Sequence, residues 1–230
     1  MVAQTRAGPV VLDARKVMYV PGSRTLLVGD IHFEKASFLQ VAGGHPIPAY
    51  DTHDNIVRLE KVVSEYRPRR VIALGDSFHD IKAGERLADG DRDRINALDT
   101  EFVWVLGNHD PDIPEGVVGA REDHVELGGF LLTHHPHEAA SVVGKNGVNV
   151  CGHLHPKARV RVRGRRVTAP CFAVCEERIV VPSFGAYTGG LFVDSDDFRA
   201  EIAGTDGAKA CRYYMTLRGH IAPVSVELAG

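Results

Sequence analysis

Apolar positions along this chain fall into short runs that stop abruptly at polar turns. Leu26-Leu27-Val28, Val71 to Leu74, the run ending at Val105-Leu106, Phe130-Leu131-Leu132 and Val148 to Cys151 have the length and flanks of buried strands. One stretch has helical spacing instead: Asp51 to Tyr66 places Ile56, Leu59, Val62, Val63 and Tyr66 on one face. Asp51, Thr52 or Asp54 is its candidate cap, and Pro68 its stop. Glu34 to Val41 reads as a shorter helix, and Ile81 to Thr100, interrupted by Gly84 and Gly90, as one helix or two. Val10 to Val20 predicts an edge hairpin with Leu26 to Val28 across Pro21-Gly22-Ser23. After Pro111 to Gly119, a connection, short strands are predicted near Val125 and Phe130. From Val148 onward strands dominate: Ala158 to Arg163, Arg166 to Thr168, Phe172 to Val174, Ile179 to Val181, Leu191 to Val193, Tyr213 to Leu217 and Ile221 to Val226. Gly43 to Pro48 reads as a loop beside the strand-end turns, and Asp194 to Lys209 as a loose excursion. The pattern is α/β, with the turns gathered at the ends of neighbouring strands of one sheet, where open α/β sheets place their sites.

Composition narrows this picture. The 230 residues suit one domain, 1–230, with a full core. No stretch approaches the roughly eighteen apolar residues that span a bilayer, and Met1 to Pro9 lacks a signal-peptide layout; a soluble, cytoplasmic protein is expected. Cys151, Cys171, Cys175 and Cys211 match neither a zinc ribbon nor a dense disulfide framework, and are expected to be reduced and mostly buried.

The chemistry lies in the turns at the ends of the apolar runs: Gly29-Asp30-Ile31-His32, Gly75-Asp76-Ser77-Phe78-His79-Asp80, Gly107-Asn108-His109-Asp110, Thr133-His134-His135 and Gly152-His153-Leu154-His155. Of 12 histidines, eight (His32, His79, His109, His134, His135, His137, His153, His155) lie in or beside these turns, a concentration that a solvated surface does not explain. Asp30, His32, Asp76, Asn108, His134, His153 and His155 form a carboxylate, carboxamide and imidazole set without thiolate, suited to manganese, iron or zinc rather than calcium. Their number exceeds one open site and implies two metals, about 3.5–4 Å apart with a bridging carboxylate, for which Asp76 is the candidate, and room for a bridging hydroxide.

GDIH, GDSFHD, GNHD, a histidine after an apolar strand and GHLH, in this order from Asp30 to His155, resemble the calcineurin-like metallophosphoesterase superfamily. The resemblance implies a four-layer α-β-β-α sandwich with the site at strand C-terminal ends. It also implies one metal on Asp30, His32, Asp76 and His155, and a second on Asp76, Asn108, His134 and His153. His109 would then be the uncoordinated general acid and Asp110 a brace for the turn. His79 is similar to the histidine that sits near the general acid in double-strand-break repair nucleases of the superfamily. Among three histidines after Leu132, His134 matches the family position; a register error of one would make it His135.

GDIH-x-x-K-A (Gly29 to Ala36), YRPRRVIALGDSFHD (Tyr66 to Asp80) and GHLHP followed by a basic hairpin and Pro170-Cys171-Phe172 are similar to the bacterial ligase-associated metallophosphoesterases. That likeness implies a DNA endonuclease or phosphodiesterase of DNA repair, using manganese on single-stranded or flapped DNA, with a functional link to a ligase and a helicase. Despite a formal charge of -3, Lys157, Arg159, Arg161, Arg163, Arg165 and Arg166 carry no acid among them, and the odd-numbered arginines share a face of an extended strand. Arg161 and Arg163 are the candidate DNA contacts; protection of a cationic strand edge is the competing reading. The alternative function is hydrolysis of a nucleotide or cyclic nucleotide, with Gly43 to Pro48 or Pro182 to Gly190 closing over the base.

Overall fold

The computed structural model describes residues 1–43, 47–202 and 211–226. One sheet runs in the order β1 (Val2–Thr5), β2 (Gly8–Asp13), β3 (Val17–Val20), β4 (Thr25–Val28), β5 (Arg70–Leu74), β6 (Glu101–Val105) and β7 (Ala120–Glu122). Its first four strands are antiparallel, and β4 to β7 are parallel. Parallel neighbours need long returns, supplied by α1 (Lys35–Gly43) and α2 (Asp51–Tyr66) between β4 and β5, and by α3 (Ala83–Arg86) and α4 (Asp89–Asn96) between β5 and β6. The other sheet runs β15 (His220–Val224), β14 (Arg212–Leu217), β12 (Arg165–Val174), β13 (Arg178–Val180), β10 (Val148–Cys151), β9 (Phe130–Thr133) and β8 (Val125–Leu127), with β11 (Lys157–Val162) paired to β12 alone. Two short helices, α5 (Ala140–Val143) and α6 (Asp196–Ile202), precede β10 and β14.

Strand alternation sorts the apolar side chains into three layers of packing. Leu26, Val28, Val71, Ala73, Phe102 and Trp104 face Ile56, Leu59 and Val62 of α2 and Ile95 of α4. Their neighbours Leu27, Ile72, Leu74, Val103 and Val105 point the other way and meet Phe130, Leu132, Val148, Val150 and Phe172 of the second sheet. On that sheet's far face Cys151, Cys171, Ala173 and Met215 pack against Phe198 and Ile202 of α6. The order helix, sheet, sheet, helix is the four-layer α-β-β-α sandwich that the sequence resemblance implies. Each fully buried aliphatic side chain contributes about 1.5–3 kcal/mol, and the double burial of β4, β5 and β6 explains why they read as unbroken apolar runs.

Several expectations need correction. The ligand-bearing turns come from two sheets, since β4, β5 and β6 belong to one and β9 and β10 to the other; local pattern identifies strands and says nothing of long-range pairing. The Val17–Val28 hairpin forms but lies inside its sheet, with β1 at the edge. Helix α2 spans Asp51–Tyr66, yet no side chain caps it; Asp51 instead accepts the Ala36 N–H of α1 at 3.0 Å and Thr52 the Glu34 N–H at 2.8 Å. Of the one or two helices expected over 81–100, the structure has two short ones. The strand β12 is continuous, and Leu191 to Val193 makes only a single bridge, Phe192 to Lys157. Of the excursion after Asp194, residues 196–202 are helix and 203–210 lie outside the described residues, as do 44–46 of the loop beside the site. Finally, Cys175 and Cys211 form a disulfide while Cys151 and Cys171 are buried thiols. The register of β12 with β14 sets the bonded pair directly opposite one another, 36 residues apart in sequence.

Candidate metal centre

The strands β4, β5 and β6 end side by side, and β9 and β10 bring the second sheet's turns to the same edge. Hydrogen bonds tie the turns together: His32 N–H reaches the Asp76 carbonyl at 3.0 Å, Phe33 N–H the Ser77 carbonyl at 2.8 Å, and His153 N–H the Asp30 carboxylate at 3.0 Å. The glycine before each ligand has a steric reason. A Cβ on Gly107 would lie 2.3 Å from the Asp76 carboxylate, and one on Gly152 would lie 2.4 Å from that of Asp30. Asp30, His32, Asp76, His153 and His155 all hold positive φ, between 43° and 62°. Backbone held in this costly region by surrounding structure is characteristic of functional sites.

All seven sequence candidates converge. His155 Nε2 lies 3.1 Å from Asp30 Oδ1, His134 Nε2 lies 3.4 Å from Asp76 Oδ1, and Asn108 Oδ1 is 3.0 Å from His134 Nε2. His153 Nδ1 approaches the same His134 Nε2 at 3.2 Å. The Asp30, His32 and His155 set and the Asp30, Asp76 and His134 set each bring one ligand atom per residue within 4.8 Å of one another, as does His134 with His135 and His153. Burial disfavours a charged His134, but Asp76 and Asp30 push its pKa up to about 9. The Asp76 carboxyl, which burial would raise, is held far below the usual range by its hydrogen bond to His134. Carboxylates that draw a proton onto an imidazole attract a metal cation equally.

The chain fits divalent metal ions on its own geometry. His32 Nε2 is buried without a hydrogen-bond partner among the described residues, and His155 Nε2, although 3.1 Å from Asp30 Oδ1, makes no hydrogen bond there because the geometry is unsuited to one; such orphaned atoms are rare unless a ligand engages them. His134 Nδ1 lies 3.0 Å from the Leu74 carbonyl; donation there leaves the Nε2 lone pair aimed into the cluster, as the outer nitrogen of a metal-binding histidine ordinarily does.

Around this core sit residues of a different kind. Asp110 is buried and its carboxylate accepts four backbone N–H groups, those of Asp76 (2.9 Å), Gly107 (3.0 Å), Ser77 (2.7 Å) and Phe78 (3.1 Å). It clasps two turns and has no oxygen left to face the cluster. His109 is 44% exposed in its side chain, with Nε2 4.0 Å from Asp76 Oδ2. His79 stacks on it, centroids 5.2 Å apart at 19°, while Phe38 closes edge-on at 4.7 Å. Burial, with Lys35 and His109 nearby, lowers the His79 pKa to about 4 and keeps that ring neutral. Lys35 enters the sequence pattern only as the lysine of GDIH-x-x-K-A, with no site role assigned to it; its charge is felt at His32 and His79 from the start of α1, one turn after His32.

The basic stretch forms a ribbon, β11 and the first half of β12, joined by Arg163-Gly164. Both turn residues have positive φ, 48° and 78°, the signature of a two-residue I′ hairpin. Arg163 therefore leaves the strand face on which the alternation placed it, and Arg166 stands opposite Arg161 instead. Arg159 is bound to Asp194 at 2.8 and 3.1 Å and packed on Phe192. Arg161, Arg163, Arg165 and Arg166 are exposed, with no ion pair among the described residues. Pro182 to Gly190 packs against the Asp30 turn through its first part. Ser183 Oγ and Gly185 N–H bond the Asp30 carbonyl at 2.8 and 3.1 Å, so its first part is a strut beneath a ligand.

Among solved structures, the crystal structure of Pseudomonas putida nuclease MPE is similar over 97% of this chain and 99% of that one, with 25% identity and a TM-score of 0.72. YfcE, a phosphoesterase from E. coli, aligns over 88% of this chain and 99% of its own at 17% identity, with a TM-score of 0.42, too loose a likeness to argue from. Neither a protein-family model nor a curated protein matches the chain.

Proposed function

We propose that this chain, a hydrolase of phosphoric esters with the fold of the calcineurin-like metallophosphoesterases, is a manganese-dependent DNA endonuclease or phosphodiesterase that cuts single-stranded or flapped DNA. The observation that carries it is the convergence of Asp30, His32, Asp76, Asn108, His134, His153 and His155 around two orphaned imidazole nitrogens, with an exposed histidine, His109, beside the shared carboxylate. Asp30, His32, Asp76 and His155 would hold one ion, and Asp76, Asn108, His134 and His153 the other. When bound, the two ions supply charge neutralisation at the phosphate and an acidified water for attack. His109 gives its proton to the departing oxygen as the P–O bond breaks, and His79, neutral and stacked upon it, fixes its ring. Asp110 keeps Asp76 and Asn108 in register by holding both turns. The nitrogen and oxygen donors suit manganese, with iron or zinc compatible.

DNA is favoured over a nucleotide because Arg161 and Arg163 lie on an exposed cationic ribbon that begins two residues beyond the site, and because the similar Pseudomonas putida protein is a nuclease. Of the two segments that would close over a small substrate, Gly43 to Pro48 and Pro182 to Gly190, the second is engaged through Ser183 and Gly185 as a strut. A repair role beside a ligase or helicase, and a cytoplasmic location, belong to the same proposal; no helix of the described residues is long and apolar enough to cross a membrane. The test is a substrate panel with manganese: bis-aryl and mono-aryl phosphates, cyclic nucleotides, and single-stranded, flapped and duplex DNA, with Asp76→Ala and His109→Ala as controls. Cleavage of bis-aryl phosphate and of single strands, lost in both variants, is expected. Turnover of monoesters alone would overturn the reading.

A further inference from the structure

A cavity of about 280 Å³ opens from the metal centre on the side of His134. Its floor is apolar, made by Leu106, Leu131 and Val142; its rim carries Asp123 and His124 from the turn between β7 and β8, and His135 from the turn after β9. Three of these stand exposed beside the cluster, His135 with its ring centroid 4.0 Å from that of His153. His124 and His135 are exposed imidazoles, and Val142 is 40% exposed on α5. The proposed mechanism uses none of the three.

We propose that this cavity receives the unpaired base of the nucleotide next to the scissile phosphate. The inference rests on the nuclease reading and adds to it the place where single-strandedness is sensed. His134 belongs both to the ligand cluster and to the cavity wall, and Leu106 is two residues from Asn108, so a phosphate seated on the ions has its neighbouring nucleoside at the cavity mouth. The volume lies just below the range of about 300–1,000 Å³ that accepts drug-sized ligands, enough for one base and too little for a base pair with two backbones. Imidazole faces stack on bases as other aromatic rings do, and the Asp123 carboxylate offers an acceptor to exocyclic amino groups. A paired base would have to leave its stack to enter, at a cost that unpaired strands do not bear.

The test walks a single abasic site along a labelled single strand and maps manganese-dependent cuts. Stacking of one base is worth about 5- to 150-fold. Cutting should therefore fall about tenfold or more only at the phosphate that has lost its neighbour on one side, and be unchanged elsewhere. Val142→Trp, which fills the cavity, should lower cutting of the intact strand to the same level and erase the abasic dip, with manganese content unchanged. If that variant does not fold, His124→Ala, at an exposed position, should weaken the dip several-fold. A flat abasic profile overturns the inference. So does a dip that survives in folded Val142→Trp, because the base is then read elsewhere. Absence of any strand cutting while bis-aryl phosphate is still hydrolysed overturns the nuclease reading itself, and the base site with it.

Discussion

The ligand cluster and the arginine ribbon adjoin in sequence, His155 being two residues before Lys157, yet they are built on opposite principles. In the cluster the backbone and carboxylates are held from several sides, as at Asp30, which is fully buried, accepts the His153 N–H, and has its own carbonyl held by Ser183 and Gly185. In the ribbon the outer arginines make no ion pair among the described residues, and the fastened cations are those at the base, Lys157 on the Thr188 carbonyl and Arg159 on Asp194. Rigid placement is what chemistry needs, because charge must be met where it develops. Loose cations suffice to follow a polyanion whose charges repeat. On the proposed function the two regions divide catalysis from recognition, and they should fail in different ways.

The largest effect is expected at His109. Replacing it with alanine should lower kcat about 10²- to 10⁴-fold, the usual worth of a positioned general acid, while both metals stay bound by elemental analysis. Loss of a metal equivalent with the activity would make His109 a ligand and dissolve the division drawn between it and Asn108.

Next comes Asp110, which belongs to the cluster without facing it. Asp110→Ala strands four buried N–H groups and should cost about 3 kcal/mol of stability by urea denaturation, with metal affinity weakened about 10- to 100-fold as for other outer-shell partners. Unchanged metal affinity would mean that the turns hold their register without this clasp.

The contrast also explains what was legible in the sequence. Buried strands ending in glycine and a ligand are written locally, because each glycine answers a collision, as at Gly107 and Gly152, and each ligand follows its strand directly. Helix α2 was legible down to its ends, with its apolar face and Pro68. What escaped is tertiary. Asp51 and Thr52 resemble caps of their own helix but serve the start of α1. The division of the turns between two sheets and the Cys175–Cys211 bond depend on pairings far apart in the chain. Arg163 carries the right charge in the wrong place, since only the I′ turn reveals that it has left the strand. The base cavity is assembled from β6, β7, β8, β9 and α5, and no single stretch contains its pattern.

On the ribbon, Arg161→Ala with Arg163→Ala should reduce the salt slope of single-strand DNA binding by about 1.4, at about 0.7 per phosphate contact, without changing metal content. Fluorescence anisotropy across a salt series measures it. An unchanged slope would return the ribbon to the protection of a strand edge and leave DNA contact to the cluster and its surroundings.

The smallest effect lies at a charged group belonging to neither region, and it tests whether ionic strength and pH act on the fold apart from the site. Asp13, on β2, accepts the Tyr66 hydroxyl at 2.8 Å, and the Arg15 backbone N–H and Nε at 2.8 and 2.9 Å. Burial works to raise its pKa, but these donors and the Arg15 charge lower it to about 2, from 3.8. A carboxyl depressed in the folded state binds its proton more readily when unfolded. Its stabilisation is therefore complete above about pH 3.8 and is lost as pH falls through 2. Solvent screening of Arg15, whose side chain is 32% exposed, reduces the worth to about 1–2 kcal/mol. In metal-free protein, so that no ligand titration intrudes, Asp13→Asn should lower the urea midpoint at pH 6 and approach the parent as pH falls from 4 to 2. A gap that persists at the acid end would assign the loss to the hydrogen-bond geometry of the β2–α2 junction rather than to charge, and the comparison of fixed and loose charges would then extend to the scaffold only as packing.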